Sequence, residues 1–194
     1  MNKKFGVIIL AAGASERMGR PKQTLVFENE TLLQRMAGTA TSLGCGPVII
    51  VLGANAQLFS SECENAITVI NDRWKEGMAS SVCCGVNAIM EKLPAAEGVI
   101  ITVCDQPYIT VSLLQKLLDV HQQSQLPIVA CSYGNTTGTP VFFHQTMFSE
   151  LIELKGDKGA KEIIKKNKNR VALVDFPTGT VDLDTEEDYL RLVQ

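Results

Sequence analysis

Long apolar runs are missing from this chain. None approaches the roughly 18–20 residues that a membrane-spanning helix needs; the longest, such as Phe5-Gly6-Val7-Ile8-Ile9-Leu10, have the length of strands. Charge of one sign is also missing. Eighteen basic residues against twenty-one acidic ones leave a net charge of −3, which excludes the global electrostatic footprint expected of a nucleic-acid or anionic-lipid binder. The six cysteines, at 45, 63, 83, 84, 104 and 131, form no C-x-x-C pair, so they read as small buried apolar residues rather than as a metal site. Histidine is scarce. His121 and His144 lie far apart, in segments that read as helix surface, and receive no role. No Gly/Ser/Pro-rich stretch marks a linker, so residues 1–194 are expected to form one domain with a sizeable core. Lys3 and Lys4 precede an apolar run too short for a signal peptide, and a cytoplasmic location is expected.

What is present is alternation. Apolar runs at 5–10, 47–52, 67–70, 98–103, 127–131 and 171–175 read as strands, with helical character at 31–43, 55–65, 78–92 and 111–124. Pro140 to Phe143 predicts a short extra strand, and helices are expected near 145–154 and 158–167. The pattern implies an α/β fold, a mostly parallel sheet flanked by helices, with ligands at the carboxyl ends of its strands.

The first strand runs into Leu10-Ala11-Ala12-Gly13-Ala14-Ser15-Glu16-Arg17-Met18-Gly19-Arg20-Pro21-Lys22. Small residues after a buried strand let backbone N–H groups approach an anion, while Arg17 and Lys22 add charge that glycine cannot supply. Neither common phosphate loop fits. Gly13 and Gly19 enclose five residues and no Lys-Ser/Thr follows, and Ser15 stands where a dinucleotide fingerprint needs glycine. Leu10 through Ser15, Arg17 and Lys22 are candidate nucleotide-binding residues, with Arg17 and Lys22 also catalytic.

Asp105 follows the apolar run Gly98 to Val103, and Pro107 keeps a helix from starting on its carboxylate. It is therefore free for a hard cation such as Mg2+, which would offset charge on a transferring phosphate. A second carboxylate is sought in Asp182-Leu183-Asp184-Thr185-Glu186-Glu187-Asp188. Asp184 has Glu187 three residues on, a cap-box pattern, so Asp182 is the favoured second ligand, with Asp184 as the alternative. In the segment 71–81, Asn71, Gly77, Ser80 and Ser81 form a candidate nucleoside-binding edge beside Trp74, the only tryptophan; a capped helix with Trp74 packed over the core accounts for the segment almost as well.

Taken in order, the loop at 10–22, the N-x-x-W-x-x-G-M-x-S-S run at 71–81, Asp105-Gln106-Pro107, Gly138-Thr139-Pro140, Gly156-Asp157-Lys158-Gly159-Ala160 and the acidic segment 182–188 resemble the molybdenum cofactor cytidylyltransferase family. The first loop by itself indicates only the wider nucleotidyltransferase superfamily. The resemblance implies a Rossmann-like nucleotidyltransferase fold whose N-terminal half binds Mg·CTP and whose C-terminal half receives molybdopterin or the molybdenum cofactor. It further implies CMP transfer to the acceptor's terminal phosphate with release of pyrophosphate. Gly138, Pro140, Asp157, Gly159 and Lys161 would then shape the acceptor side, and a recipient molybdoenzyme or its chaperone would take the product. Departures from the family pattern are Lys161 where Arg is usual, Glu186 where Pro is usual and Thr139 where His is frequent. Lys161 keeps the charge and loses the bidentate fork. A sugar- or polyol-phosphate nucleotidyltransferase, a GTP-using guanylyltransferase of the same cofactor and a non-catalytic cofactor chaperone are the alternatives.

Related guanylyltransferases tend to carry Gly where this chain has Ala12, whose methyl narrows room for a purine. One methyl discriminates by only ~1–3 kcal/mol, so Ala12→Gly should relax a CTP preference without inverting it. Measuring kcat/KM for CTP and GTP on both proteins tests this, and equal use of the two by the unaltered enzyme refutes it.

Overall fold

The computed structural model describes residues 4–59 and 65–193. Strand β1 (Phe5–Ala11) is buried along nearly its whole length, the mark of a strand covered on both faces. A loop leads to a minimal hairpin, β2 (Val26–Phe27) and β3 (Glu30–Thr31), and then to α1 (Leu32–Leu43). Thr31 starts that helix with a reciprocal cap: its hydroxyl accepts from Gln34 N, and the Gln34 side chain accepts from Thr31 N. The remaining elements are β4 (Val48–Leu52), β5 (Ile67–Ile70), α2 (Met78–Lys92), β6 (Gly98–Val103), α3 (Val111–Ser124), β7 (Ile128–Tyr133), β8 (Thr136–His144), α4 (Phe148–Ile152), α5 (Ala160–Lys166), β9 (Val171–Asp175) and α6 (Glu186–Val193).

The main sheet has seven strands in the order β5-β4-β1-β6-β8-β7-β9. Only β8 runs against its neighbours, pairing antiparallel with both β6 and β7, while the other pairings are parallel. The reversal has a consequence for the site. Ile101 of β6 pairs with Val141, so the early residues of β8 reach the edge where β1, β4 and β6 end. Apolar residues divide by parity between the two faces of the sheet. Val7, Ile9, Ile50 and Leu52 pack toward α1 and α3, whereas Ile8, Ile49, Val51 and Ile101 pack toward α2, α4 and α5. A third cluster of Met18, Leu25, Leu32 and Leu183, with Tyr189 and Leu192 against it, fastens α6 to the loop after β1.

Three expectations change. The extra strand runs from Thr136 to His144 rather than 140–143, because it pairs on both sides. The helix expected at 55–65 is a single turn, Ala56–Leu58, behind a left-handed Asn55; residues 60–64, Cys63 among them, lie outside the described residues. Neither histidine sits on an open helix surface. His121 packs its ring on Phe142 with centroids 4.4 Å apart, and His144 ends β8.

Helix α2 lies close on the sheet at Gly85, where a Cβ would come within 2.5 Å of Ile8 Cγ2 and 3.1 Å of Val51 Cγ2. Alanine would improve helix propensity by about 1 kcal/mol, but overpacking costs ~1–3 kcal/mol. Gly85→Ala should therefore lower stability by about 1 kcal/mol, read from the denaturant midpoint, and an unchanged or raised midpoint contradicts the packing argument.

Candidate active site

The loop after β1 is held from several directions before any ligand arrives. Ser15 adopts a left-handed conformation, φ 56°, and its hydroxyl accepts from Lys22 N at 3.1 Å, closing the loop on itself. Ala12 O accepts from Ala54 N at 3.0 Å, and Ala11 O accepts from Gln23 Nε2 at 2.6 Å. Gln23 is 2% exposed, and its Oε1 has no hydrogen-bond partner among the described residues. With its carbonyls tied down, the loop forms one wall of a cleft of about 530 Å³. Leu10 through Ser15, Arg17 and Lys22 all line it, with Gln23, Trp74, Gly77 and Ser81.

At the floor of this cleft Lys22 stands between two carboxylates. Its Nζ donates to Asp105 Oδ2 at 3.1 Å and to Asp184 Oδ1. Arg17 reaches the other oxygen of Asp184 at 2.6 Å. Burial pulls the Lys22 ammonium toward neutrality, but the Asp105 and Asp184 carboxylates more than offset it and hold the group above its usual pKa. The hydrogen bond from Lys22, with Arg17 beside it, holds Asp184 below the usual carboxylate range. Asp184 is thus part of the charge centre and not a helix cap. Thr185 and Asp188 cap α6 instead, the Asp188 carboxylate accepting from Thr185 N at 2.9 Å and the Thr185 hydroxyl from Asp188 N at 3.2 Å.

A second cavity of about 670 Å³ adjoins the first. Leu10, Met78, Val103, Asp105, Asp157 and Asp184 line both. Gly159, Lys161 and Asp182 line the second cavity, together with Gln106, Tyr133 and Thr139. Burial, with the Asp105 and Asp184 charges nearby, pushes the Asp182 carboxyl above its usual range despite a hydrogen bond from Gln106. The two cavities are stitched together at Gly77. Its φ is +104°, and a Cβ there would lie 2.5 Å from the Gly156 carbonyl; Gly156 O also accepts from Ala79 N at 3.1 Å.

Four expected site residues do not face either cavity. Asn71 is 5% exposed and spends its amide on Ser80 and Ser81 at 2.8 and 3.0 Å. Ser80 donates back to the Arg73 and Gly77 carbonyls, so Asn71 and Ser80 build the turn that presents Gly77 and Ser81. Gly138 and Pro140 are buried in β8. The side where Gly138 would carry a Cβ is filled by Tyr133 Oη and Lys161 Cε, and it is Thr139 that reaches the cavity. Sequence reasoning missed Gln23, Gln106, Tyr133 and the charge role of Asp184. The adjacency of Gln23 to Lys22 and of Gln106 to Asp105 was the available signal. Burial raises the Cys45 and Cys131 thiols to about 11 and about 12 and also pushes the Cys104 thiol up, so these three are poor nucleophiles.

Asp105, Asp182 and Asp184 supply hard oxygen donors of the kind a divalent cation takes together with phosphate oxygens and water. The raised pKa of Asp182 comes first from burial and then from the neighbouring Asp105 charge, which such a cation would offset. Among the described residues no three His, Cys, Asp or Glu side chains form a preassembled metal cage.

A doubly covered sheet with a phosphate-sized loop at the end of its first strand, next to an acid–lysine centre, defines the class of nucleotidyltransferase-like α/β domains. Residues 7–171 match the MobA-like NTP transferase domain, and the chain belongs to that family. It is 31% identical to nicotine blue oxidoreductase of Paenarthrobacter nicotinovorans over 96% of this chain and 95% of that one. It is 28% identical to the purine catabolism protein PucB of Bacillus subtilis, over 94% and 92% of the two chains, and 24% identical to the molybdenum cofactor cytidylyltransferase of Escherichia coli, also over 94% and 92%. Among solved structures, Rv0371c of Mycobacterium tuberculosis superposes with a TM-score of 0.84 at 29% identity, covering 100% of this chain and 98% of that one. Rv0371c has also been solved in complex with manganese (TM-score 0.79, 27% identity, 98% of each chain).

The Asp182 environment makes a pH-dependent prediction. A carboxyl whose folded pKa lies above its unfolded value destabilises the fold when ionised; the penalty is absent below the unfolded pKa of about 3.9 and is complete once pH exceeds the folded pKa. Asp182→Asn should therefore raise the urea midpoint at pH 7 in metal-free buffer, with the gain vanishing toward pH 4. A midpoint at pH 7 equal to or below that of the unaltered protein counts against this electrostatic account.

Proposed function

We propose that this chain transfers CMP from CTP to the terminal phosphate of molybdopterin, releasing pyrophosphate. The observation that carries this reading is the pair of adjoining cavities with the Asp105-Lys22-Asp184 centre at their junction. One cavity carries the phosphate loop and the other the acceptor-side segment 156–161. The family resemblance to the cytidylyltransferase at 24% identity supports the nucleotide and the acceptor. The relative named as an oxidoreductase raises a different chemistry, yet no G-x-G-x-x-G loop for a dinucleotide occurs in this sequence.

In this reading the acceptor's phosphate oxygen attacks the α-phosphorus in line, and the bond to the β,γ-pyrophosphate breaks. A phosphomonoester has a second pKa near 6, so the attacking oxygen is already ionised at neutral pH and no general base is needed. Catalysis then rests on positioning and electrostatics. Backbone N–H groups of Gly13, Ala14 and Ser15 face the triphosphate. Arg17 and Lys22, released from Asp184 as phosphate enters, stabilise charge on the phosphates, while Trp74 and Ser81 bound the nucleoside end. Asp105 with Asp182 or Asp184 would hold Mg2+, which when bound supplies positive charge to the phosphate oxygens. Leu10, Met78 and Val103 exclude water between the two substrates.

Mixing the protein with CTP, Mg2+ and molybdopterin should give a product heavier by CMP, seen by mass analysis together with released pyrophosphate. GTP should substitute poorly, and chelation of the metal should stop the reaction. Lys22→Gln should lower turnover by about 10²–10³-fold, the equivalent of ~3–4 kcal/mol for a lost electrostatic contact. Turnover of the variant within threefold of the unaltered enzyme refutes the role of Lys22, and absence of the heavier product with any nucleotide refutes the assigned acceptor.

A further inference from the structure

Positive charge in this chain is concentrated. Residues 155–170 contain seven Lys or Arg side chains against Asp157 and Glu162, in a protein of net charge −3. The structure sorts these cations by direction. Lys155, Lys158, Lys161 and Lys165 line the second cavity, whereas Lys166 turns to Glu150 at 3.4 Å. Of the four that line the cavity, Lys158 is paired with Glu162 at 3.6 Å. Among the described residues, Lys155, Lys161 and Lys165 have no carboxylate within ion-pair distance. Lys161 and Lys165 lie one turn apart on α5, a spacing at which like charges repel.

Asp105, Asp157 and Asp184 of this cavity also line the first cleft, and Asp182 and Glu162 complete its carboxylates. In the transfer reading phosphate and metal meet at Asp105, Asp182 and Asp184. That reading places Lys161 on the acceptor side and leaves Lys155 and Lys165 without a task, because the loop from Ala11 to Ser15 that faces the triphosphate does not line this cavity. We propose that Lys155, Lys161 and Lys165 bind a second anionic group of the acceptor, distinct from the phosphate that is nucleotidylated. The acceptor class is thus a small organic phosphate bearing a second negatively charged group. This inference rests on the nucleotidyl-transfer reading and extends it by naming a recognition group on the substrate. The cavity's volume of about 670 Å³ suits a small molecule.

The test uses inorganic pyrophosphate as the probe, titrated calorimetrically into full-length protein saturated with CTP and Mg2+ so that the first cleft is filled. The unaltered protein should bind it with an affinity that falls as salt rises. The double variant Lys155→Ala/Lys165→Ala should bind about 10–100-fold more weakly, as expected for two lost charge-assisted contacts. Lys166→Ala, the control, should bind as the unaltered protein does, and thermal melts establish that each variant is folded. With molybdopterin as acceptor, the double variant should raise the acceptor KM by a similar factor and leave the CTP KM unchanged. Equal pyrophosphate binding by the double variant, equal loss in Lys166→Ala, or no binding to the unaltered protein overturns the proposal. Failure of the function reading is separately visible. It appears as absent CMP transfer, and it leaves the pyrophosphate difference between variants intact.

Discussion

The ammonium of Lys22 between Asp105 and Asp184 is the contact on which the arrangement of this molecule depends. Asp105 ends the central strand β6, Lys22 ends the phosphate loop, and Asp184 comes from the segment before the last helix. Without a cation between them, Asp105 and Asp184 would repel at close range in a half-buried setting, where charge is poorly screened. The lysine therefore draws three distant pieces of chain to one point. In the proposed reaction a phosphate that attracts Lys22 and Arg17 would free the carboxylates for a divalent cation, so nucleotide and metal would bind with mutual support.

Around that point the chain is closed by contacts that have no chemistry of their own. Leu183 N donates to Asp105 O at 3.1 Å, and Gln106 Nε2 donates to Gly179 O at 3.0 Å. Arg20 holds Glu186 through two nitrogens, at 2.7 and 3.2 Å, and Tyr189 donates to Val26 O at 3.0 Å. These bonds set Asp182 and Asp184 in position relative to Asp105 although the intervening segment contains no strand. The second cavity is placed by a different device. Reversal of β8 carries Thr139 to its wall, and the contact of Gly77 with Gly156 fixes the loop that precedes α5.

Membership of the MobA-like NTP transferase family defines the scaffold more firmly than the substrate. The relatives include proteins named for an oxidoreductase, for purine catabolism and for cytidylyl transfer, so family membership by itself does not specify the reaction partner.

The sheet, most helices and the loop that lines the first cleft were legible in the sequence because each follows from a local pattern. Buried strands read as short apolar runs, α1 and α3 carry their caps at Thr31 and Thr110, and small residues followed by Arg17 and Lys22 mark the loop at the cleft wall. Asp105 was legible for the same reason, as a carboxylate placed between an apolar strand and a proline. Tertiary structure decided what depends on partners far along the chain. Asp184 looked like a helix cap from its spacing to Glu187, yet Thr185 and Asp188 satisfy the helix start and release it to Lys22, 162 residues away. Asn71 and Ser80 looked like ligand contacts because they are polar, yet burial commits their hydrogen bonds to a turn. Local spacing determines which groups are available, and long-range packing determines which of them are already satisfied, because a buried polar group takes the partner that folding brings to it.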